Sequence, residues 1–215
     1  MGLADSRSFL VLTRALMTQE GRDRPLHIFH RLGVPKSPGY RILRFYETHD
    51  SVRTVQGRLE ADPRRVLGLQ GGLRADRAVA DATVEEGPPL PDALEIIQGL
   101  SSRYAIGMQT AANVQAYFEP SGAHNIYLEK NTGTRKTGSS YQDLAERLRD
   151  HPAASRSDRY EFYLDDLDRL DIRPGPIGSM TSPVQTLLDL ALHHRTAAHK
   201  EFLFDMLEKQ GVVHG

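Results

Sequence analysis

A run of helix-breaking residues near the start of the chain separates two segments with helical periodicity. Residues 33–39 read GVPKSPG, in which Gly33 is suited to end one helix. Ser37 is suited to cap the next helix, with Pro38 at its first position. The run therefore predicts a short turn that joins two consecutive helices.

Three helices are predicted around this turn. Apolar side chains recur at helical spacing over residues 6–19. The segment 24–33 has Pro25 in its first turn, and a third helix is predicted over residues 39–50. In this third helix, Tyr40 is expected to face inward.

Two β-strands are predicted after the third helix. Val52, Thr54 and Leu59 have β-forming character. Residues 60–65 (EADPRR) supply a turn, and residues 66–69 (VLGL) form the second strand. Three helices followed by a two-stranded hairpin is the order of a winged helix-turn-helix, in which the third helix enters the DNA major groove. The first part of the chain is therefore predicted to bind double-stranded DNA.

Basic side chains of the predicted third helix and hairpin are candidates for DNA contact. Arginines near phosphates supply affinity that depends on salt, whereas contacts with base edges supply sequence specificity. Arg41 and Arg44 are predicted to lie on the outer side of the third helix. The full set of predicted DNA-binding residues is Lys36, Ser37, Tyr40, Arg41, Arg44, Arg53, Arg58, Arg64 and Arg65. The alternative is a three-helix cap with a solvated basic face.

Charge is distributed unevenly, although the formal net charge is −1. Residues 1–66 contain twelve Lys and Arg against seven Asp and Glu, and the remainder contains fifteen against twenty-one. A basic first part joined to an acidic remainder predicts two partners of different character. We predict an α+β fold with a winged helix at 1–70, a linker or irregular connection at 71–90 and a mixed α/β domain at 91–215.

Composition excludes several classes of protein. The chain is 39% hydrophobic and 26% charged, as is usual for a globular protein with a core. No apolar run approaches the ~20 residues that cross a bilayer, and no secretory signal is apparent, so a cytoplasmic protein is predicted. Cysteine is absent, which excludes disulfides, thiolate zinc sites and a cysteine nucleophile.

Histidines are not arranged as a metal site in the sequence. His193, His194 and His199 cluster, but the first and last are six residues apart and do not share one helical face. No HExxH pattern occurs. His27 and His30 lie on the predicted second helix with no third ligand nearby. No metal and no cofactor are therefore predicted.

An acidic run supports a rival, enzymatic interpretation. Asp165 and Asp166, together with Glu129, would supply carboxylates for a metal-dependent phosphoryl-transfer or nuclease enzyme. No Walker-type loop lies upstream, and a solvated acidic turn explains the run more simply. The sequence also lacks a GxSxG elbow. The chain is therefore not predicted to be an enzyme.

The segment TSPVQTLLDLALHH contains residues that favour the start of a helix. Ser182 is a favoured N-cap, Pro183 occupies the first helical position, and Gln185 follows three residues after the cap. This spacing predicts a capping box at the start of a buried helix.

Two short motifs resemble those of AbiEi-type antitoxins of type IV toxin–antitoxin systems. They are YAIGMQTAANVQAYF and TSPVQTLLDLA, and the matching residues are Tyr104, Ala111, Ala112, Ser182, Pro183, Thr186, Leu187, Leu188 and Asp189. Such antitoxins have an N-terminal winged helix that represses their own operon. The resemblance implies an autoregulating antitoxin with a cognate toxin protein as partner, and a homodimer is also expected. A pure protein-binding module that docks an acidic partner is the remaining alternative.

Overall fold

The computed structural model describes residues 6–73, 80–100, 103–116, 123–130, 141–155, 158–192 and 197–213. Internal contacts divide the chain into two compact units, one formed by residues 1–78 and 187–215 and the other by residues 79–186. The chain is of mixed α+β class, as the sequence predicts, and helices precede the main sheet.

Helices and strands follow one another along both units. In chain order they are α1 (Arg7–Leu16), α2 (Pro25–Leu32), α3 (Lys36–Thr48), β1 (Val52–Val55), β2 (Arg58–Ala61), α4 (Pro63–Leu73), β3 (Ala82–Val84), α5 (Leu90–Leu100), β4 (Tyr104–Ile106), α6 (Met108–Ala116), β5 (Ala123–Glu129), α7 (Tyr141–Arg149), β6 (Arg159–Asp165), β7 (Ile172–Gly175), β8 (Gly178–Thr181), α8 (Pro183–Leu190) and α9 (Ala197–Lys209). No helix within the described ranges has the length and apolar character needed to cross a membrane.

The predicted turn between α2 and α3 is present. Gly33 ends α2 with φ 63° and ψ 27°, a left-handed conformation that glycine adopts without strain. α3 begins at Lys36, because the Pro35 carbonyl already accepts a hydrogen bond from the Gly39 amide at 2.9 Å. Pro35 occupies the capping position with no side-chain cap. Ser37 therefore lies inside the first turn of α3, and its prediction as the N-cap is wrong.

α2 and α3 approach each other closely at Gly39. A Cβ atom there would lie 2.7 Å from the ring of Phe29, which is itself buried. Tyr40, which was predicted to face inward, is 41% exposed, and its ring meets the Phe29 ring at a centroid distance of 5.2 Å and an angle of 90°. Gly39 occupies the inward position at this contact, so Tyr40 lies toward solvent.

β1 and β2 form an antiparallel hairpin with a two-residue turn. Val55 pairs with Arg58, and the turn residues Gln56 and Gly57 have φ values of 50° and 77°. Two consecutive positive φ values are the signature of a type I′ turn, whose twist matches that of the flanking strands. The second strand is therefore Arg58–Ala61.

The segment predicted to complete the hairpin begins α4 instead. An Asp62 carboxylate oxygen accepts a hydrogen bond from the Arg65 amide at 3.1 Å, and Pro63 is the first residue of the helix. Asp followed by Pro is a favoured helix start, because Asp caps and Pro tolerates the first position. The predicted turn at 60–65 and strand at 66–69 are wrong for this reason.

A buried chain of hydrogen bonds connects α1, α3 and α4. The Thr13 hydroxyl donates to the Phe9 carbonyl at 2.7 Å, so the Tyr46 hydroxyl donates to Thr13 at 2.6 Å. The Gln70 side-chain amide in turn donates to the Tyr46 hydroxyl at 3.0 Å. Thr13, Tyr46 and Gln70 are fully buried, so these bonds replace the water that the groups lose on folding.

α9 groups with the first unit, although it was predicted to belong to a C-terminal domain at 91–215. Arg64 of α4 pairs with Glu201 at 3.2 Å and Asp205 at 2.8 Å, and its guanidinium lies 4.2 Å from the centroid of the Phe204 ring. Phe204 is buried together with Leu203. The predicted connection at 71–90 contains the end of α4 and all of β3.

The second unit is built on a six-stranded mixed sheet with the order β3-β6-β5-β4-β8-β7. β5 and β6 are parallel along their full length, as are β4 and β8 at their contact, and the other pairs are antiparallel. Apolar side chains of the sheet, α5 and α7 form the main core, including Val84, Ile97, Ile126, Leu148 and Phe162. This core places the ends of β5 and β6 side by side.

The predicted start of α8 is confirmed. Pro183 is its first residue, and the Gln185 amide donates to the Ser182 hydroxyl at 3.2 Å. Thr186 and Asp189 follow on the next turns, and both are fully buried. The motif therefore lies in the protein interior.

Candidate nucleic-acid interface

One face of α3 is exposed and basic. Lys36, Tyr40 and Arg44 are four residues apart and form one row along the helix, and Ser37 and Arg41 form the neighbouring row. All five side chains are exposed. The structure thus brings together on one face every residue that the sequence analysis selected from this helix.

The cations of this face are open to an external anion. Among the described residues, no carboxylate lies within salt-bridge distance of Lys36, Arg41 or Arg44. Glu47 is the acidic residue farther along α3, and its carboxylate accepts a hydrogen bond from the Thr54 hydroxyl of β1 at 3.4 Å. The face therefore has a net positive charge, and Glu47 connects the helix to the hairpin.

The hairpin has one face toward the core and one toward solvent. Val52 and Leu59 are buried, whereas Arg53 and Arg58 lie on the exposed face. Arg53 pairs across the strands with Glu60 at 2.7 Å. Arg58, beside the turn, has no ion-pair partner in the described part of the chain. Arg58 is therefore the more available cation of the two.

Arg64 and Arg65, which were predicted to lie on the hairpin, are residues of α4. The hydrogen bond with Asp205 raises the pKa of Arg64, and the charge is compensated by the acidic side chains of α9. Arg65 pairs with Asp62 at 3.3 Å and donates to the Asp50 carbonyl at 3.1 Å. Both arginines thus have partners inside the first unit.

A groove beside the hairpin includes two arginines that the sequence analysis did not select. Arg22 and Arg24 are exposed immediately before α2. The groove has a volume of about 1250 Å³, and its lining also includes Arg53, Arg58 and Arg65. The sequence pattern that could have indicated these two arginines is Arg-Asp-Arg at the start of a helix. This pattern is equally typical of a solvated charge cluster.

Two of the three acidic residues of the enzymatic interpretation form ion pairs with arginines. Glu129 and Asp165 are paired at the ends of β5 and β6. Asp165 pairs with Arg169 at 3.5 Å, and both are buried, while Glu129 pairs with Arg103 at 3.2 Å. Burial raises the pKa of the Glu129 carboxyl, and Asp166 caps the following 3₁₀ turn. Within the described residues, no three potential ligands are grouped to hold a metal ion.

The residues that carry the family resemblance are mostly interior. Ala111 and Ala112 are fully buried in α6, and Tyr104 begins β4, where its hydroxyl accepts a hydrogen bond from the Gln98 side chain at 2.9 Å. These contacts stabilise the second unit. His193 and His194 lie outside the described residues.

Comparison with known proteins does not assign the chain to a family. No protein-family model matches the sequence, and no curated protein is similar to it.

Proposed function

We propose that the protein is a sequence-specific DNA-binding regulator of transcription, and that its first unit is a winged helix-turn-helix. The observation that carries this proposal is the exposed basic face of α3, directly after a three-residue turn that contains Gly33. A short turn with glycine between two packed helices is typical of helix-turn-helix motifs. The β1–β2 hairpin follows α3 in the position of a wing.

α3 is the element proposed to enter the major groove. The guanidinium groups of Arg41 and Arg44 match the O6 and N7 acceptors of guanine, and each such contact discriminates by about 1–3 kcal/mol. Tyr40 offers an exposed aromatic ring to the methyl group of thymine. Lys36 and Ser37, in the first turn, are suited to phosphate contacts that fix the register of the helix.

The hairpin is proposed to bind the DNA backbone. Arg58 lies next to the tight turn, so its guanidinium can meet a phosphate without breaking an internal ion pair. Arg53 would have to exchange its contact with Glu60 for a phosphate. We therefore assign the larger share of the hairpin's salt-dependent affinity to Arg58.

A finer form of the proposal concerns the regulated gene. The resemblance to AbiEi-type antitoxins supports repression of the protein's own operon, with a toxin as partner and a homodimer that binds two half-sites. This role needs neither a cofactor nor catalysis by the chain. The ion pairs of Glu129 and Asp165 with arginines support a structural role for these carboxylates.

A gel mobility-shift experiment tests the proposal. The full-length protein is titrated against the duplex upstream of its own gene and against a shuffled duplex of the same composition. Three proteins are compared: the wild type, the double variant Arg41→Gln/Arg44→Gln, and a matched control, Arg147→Gln/Arg149→Gln. The control removes two exposed arginines from α7 in the second unit.

The wild type and the control should bind the upstream duplex more tightly than the shuffled one. The α3 variant should lose affinity for the upstream duplex by about 1–3 kcal/mol for each base contact removed. Absence of binding to any duplex by the folded wild type would refute DNA binding and favour the protein-binding module. Equal affinities of the α3 variant and the control would refute the role of α3.

A further inference from the structure

We infer that the arginine groove between residues 22–24 and the β1–β2 hairpin binds the phosphate backbone of DNA outside the base pairs that α3 contacts. The inference rests on the proposed DNA-binding function and adds a second contact surface to it. The lining of the groove includes Arg22 and Arg24 from the segment before α2 and Arg58 from the hairpin.

One main-chain hydrogen bond joins the two segments that line the groove. The Leu59 amide of β2 donates to the Asp23 carbonyl at 3.0 Å, between the two arginines. The Asp23 carboxylate is directed elsewhere: it accepts from the Arg24 amide at 2.7 Å and lies 3.5 Å from His27 and 3.7 Å from Arg31. The Asp23 carboxylate therefore contacts side chains of α2 and does not neutralise the guanidinium groups of Arg22 and Arg24.

Pairing within the groove leaves an excess of positive charge. Its lining contains five arginines and the three acidic residues Asp50, Glu60 and Asp62. Glu60 pairs with Arg53 at 2.7 Å, and Asp62 pairs with Arg65 at 3.3 Å. In the described part of the chain, Arg22, Arg24 and Arg58 have no ion-pair partner. With Asp50 included, five arginines against three carboxylates leave the lining with a net charge of +2, which would attract a polyanion.

The form of the groove favours a nucleic-acid backbone over a small anion. Its volume of about 1250 Å³ exceeds that of the pockets that bury drug-sized ligands, and its arginines are exposed rather than enclosed. Exposed arginines on two segments can each contact one of the phosphates that repeat along a DNA strand. Each such contact needs only a charge and no buried pocket.

The side of the hairpin on which Arg58 lies indicates which part of the DNA would be bound. Thr54 contacts Glu47 of α3, whereas Arg58 is on the opposite face of the same hairpin. The hairpin arginines that line the groove, Arg53 and Arg58, therefore lie on the face of the hairpin opposite to the one that contacts α3. Phosphates bound there belong to DNA that flanks the base pairs contacted by α3, so the groove adds affinity without adding sequence specificity.

Fluorescence anisotropy with the full-length protein tests this inference. The probes are a random-sequence duplex and the duplex upstream of the gene, each titrated over a range of salt concentrations. The groove variant Arg22→Gln/Arg24→Gln is compared with Arg41→Gln/Arg44→Gln and with the control Arg147→Gln/Arg149→Gln. All three double variants remove the same charge, so general electrostatic attraction is matched.

The groove variant should flatten the plot of log affinity against log salt by about 0.9 for each lost phosphate contact, or about 1.8 in all. A change of 0.9 in the slope corresponds to roughly an eightfold change in affinity between 1 M and 0.1 M salt. Because the groove variant loses two such contacts, its affinity at 0.1 M salt should be lower than that of the wild type by well over tenfold. The preference for the upstream duplex over the random duplex should not change. The α3 variant should reduce that preference.

Two outcomes separate failure of this inference from failure of the proposed function. A groove variant with the slope and affinity of the control, when the α3 variant is impaired, overturns the groove and leaves the function standing. A wild type that binds neither duplex overturns both. If the double variant fails to melt cooperatively, Arg24→Gln alone decides: a slope lowered by about 0.9 supports the groove, and an unchanged slope overturns it.

Discussion

The substitution Tyr46→Phe tests the packing that presents α3. Tyr46 lies on the buried side of α3, and its hydroxyl is the central member of the chain of hydrogen bonds from Gln70 to Thr13. Phenylalanine keeps the ring and removes only this oxygen. The substitution therefore isolates the contribution of the hydrogen bonds from that of ring packing.

The expected loss follows from the groups that remain. Gln70 keeps its bond to the Val66 carbonyl at 3.2 Å, and Thr13 keeps its bond to the Phe9 carbonyl at 2.7 Å. Each group nevertheless loses one partner in a fully buried site, and such losses cost about 1–3 kcal/mol. We expect a decrease of about 2 kcal/mol in the free energy of unfolding. In a chain of this length, that corresponds to a melting temperature lower by about 4–8 °C.

Thermal and urea denaturation, followed by circular dichroism, measure this loss. The matched control is Tyr40→Phe, which removes the same atom from an exposed ring on the same helix. The control should change the free energy of unfolding by about 0.5 kcal/mol or less. Equal stabilities of the two variants would refute the hydrogen-bond chain as a stabilising feature.

Four further substitutions have distinct expected outcomes in the same denaturation assay, and two of them are also tested by DNA binding. Gly39→Ala should destabilise by about 1–3 kcal/mol because its Cβ would meet the Phe29 ring. Gly68 has open space around it, so Gly68→Ala should stabilise the protein by up to about 1 kcal/mol. Equal effects of Gly39→Ala and Gly68→Ala would contradict the close approach of α2 and α3. Arg64→Ala should lower the free energy of unfolding by about 1 kcal/mol or less, because exposed ion pairs contribute little. It should leave the salt slope of DNA binding unchanged. A flatter slope would show that Arg64 contacts DNA. Ser182→Ala should lower stability by about 1 kcal/mol without altering DNA affinity, and lost DNA binding at unchanged stability would show that the cap has a functional role.

Local signals in the sequence predicted several features of the structure correctly. Gly33 ends α2, and Ser182 caps α8, because each depends on the conformation or hydrogen bonding of a few adjacent residues. The exposed positions of Arg41 and Arg44 follow from helical periodicity, which also places Leu43 in the core. Such features need no knowledge of distant contacts.

Features that depend on distant partners were missed. The short apolar run at 66–69 suits either a strand or a helix, and the Asp62-Pro63 pair suits either a turn or a helix start. The partners of Arg64 lie on α9, more than 130 residues further along the chain. The residue pattern around Arg64 therefore does not indicate them. The pairing of Glu129 with Arg103 likewise joins two residues that are far apart in the sequence.

In vitro selection of duplexes by the full-length protein tests the central claim most directly. If α3 contacts bases, the wild type should enrich one motif from a random pool, with guanines at the positions that Arg41 and Arg44 contact. The variant Arg41→Gln/Arg44→Gln should lose the preference for those guanines while it still binds DNA at low salt. Enrichment of no motif by the wild type, or of the same motif by both proteins, would contradict the account.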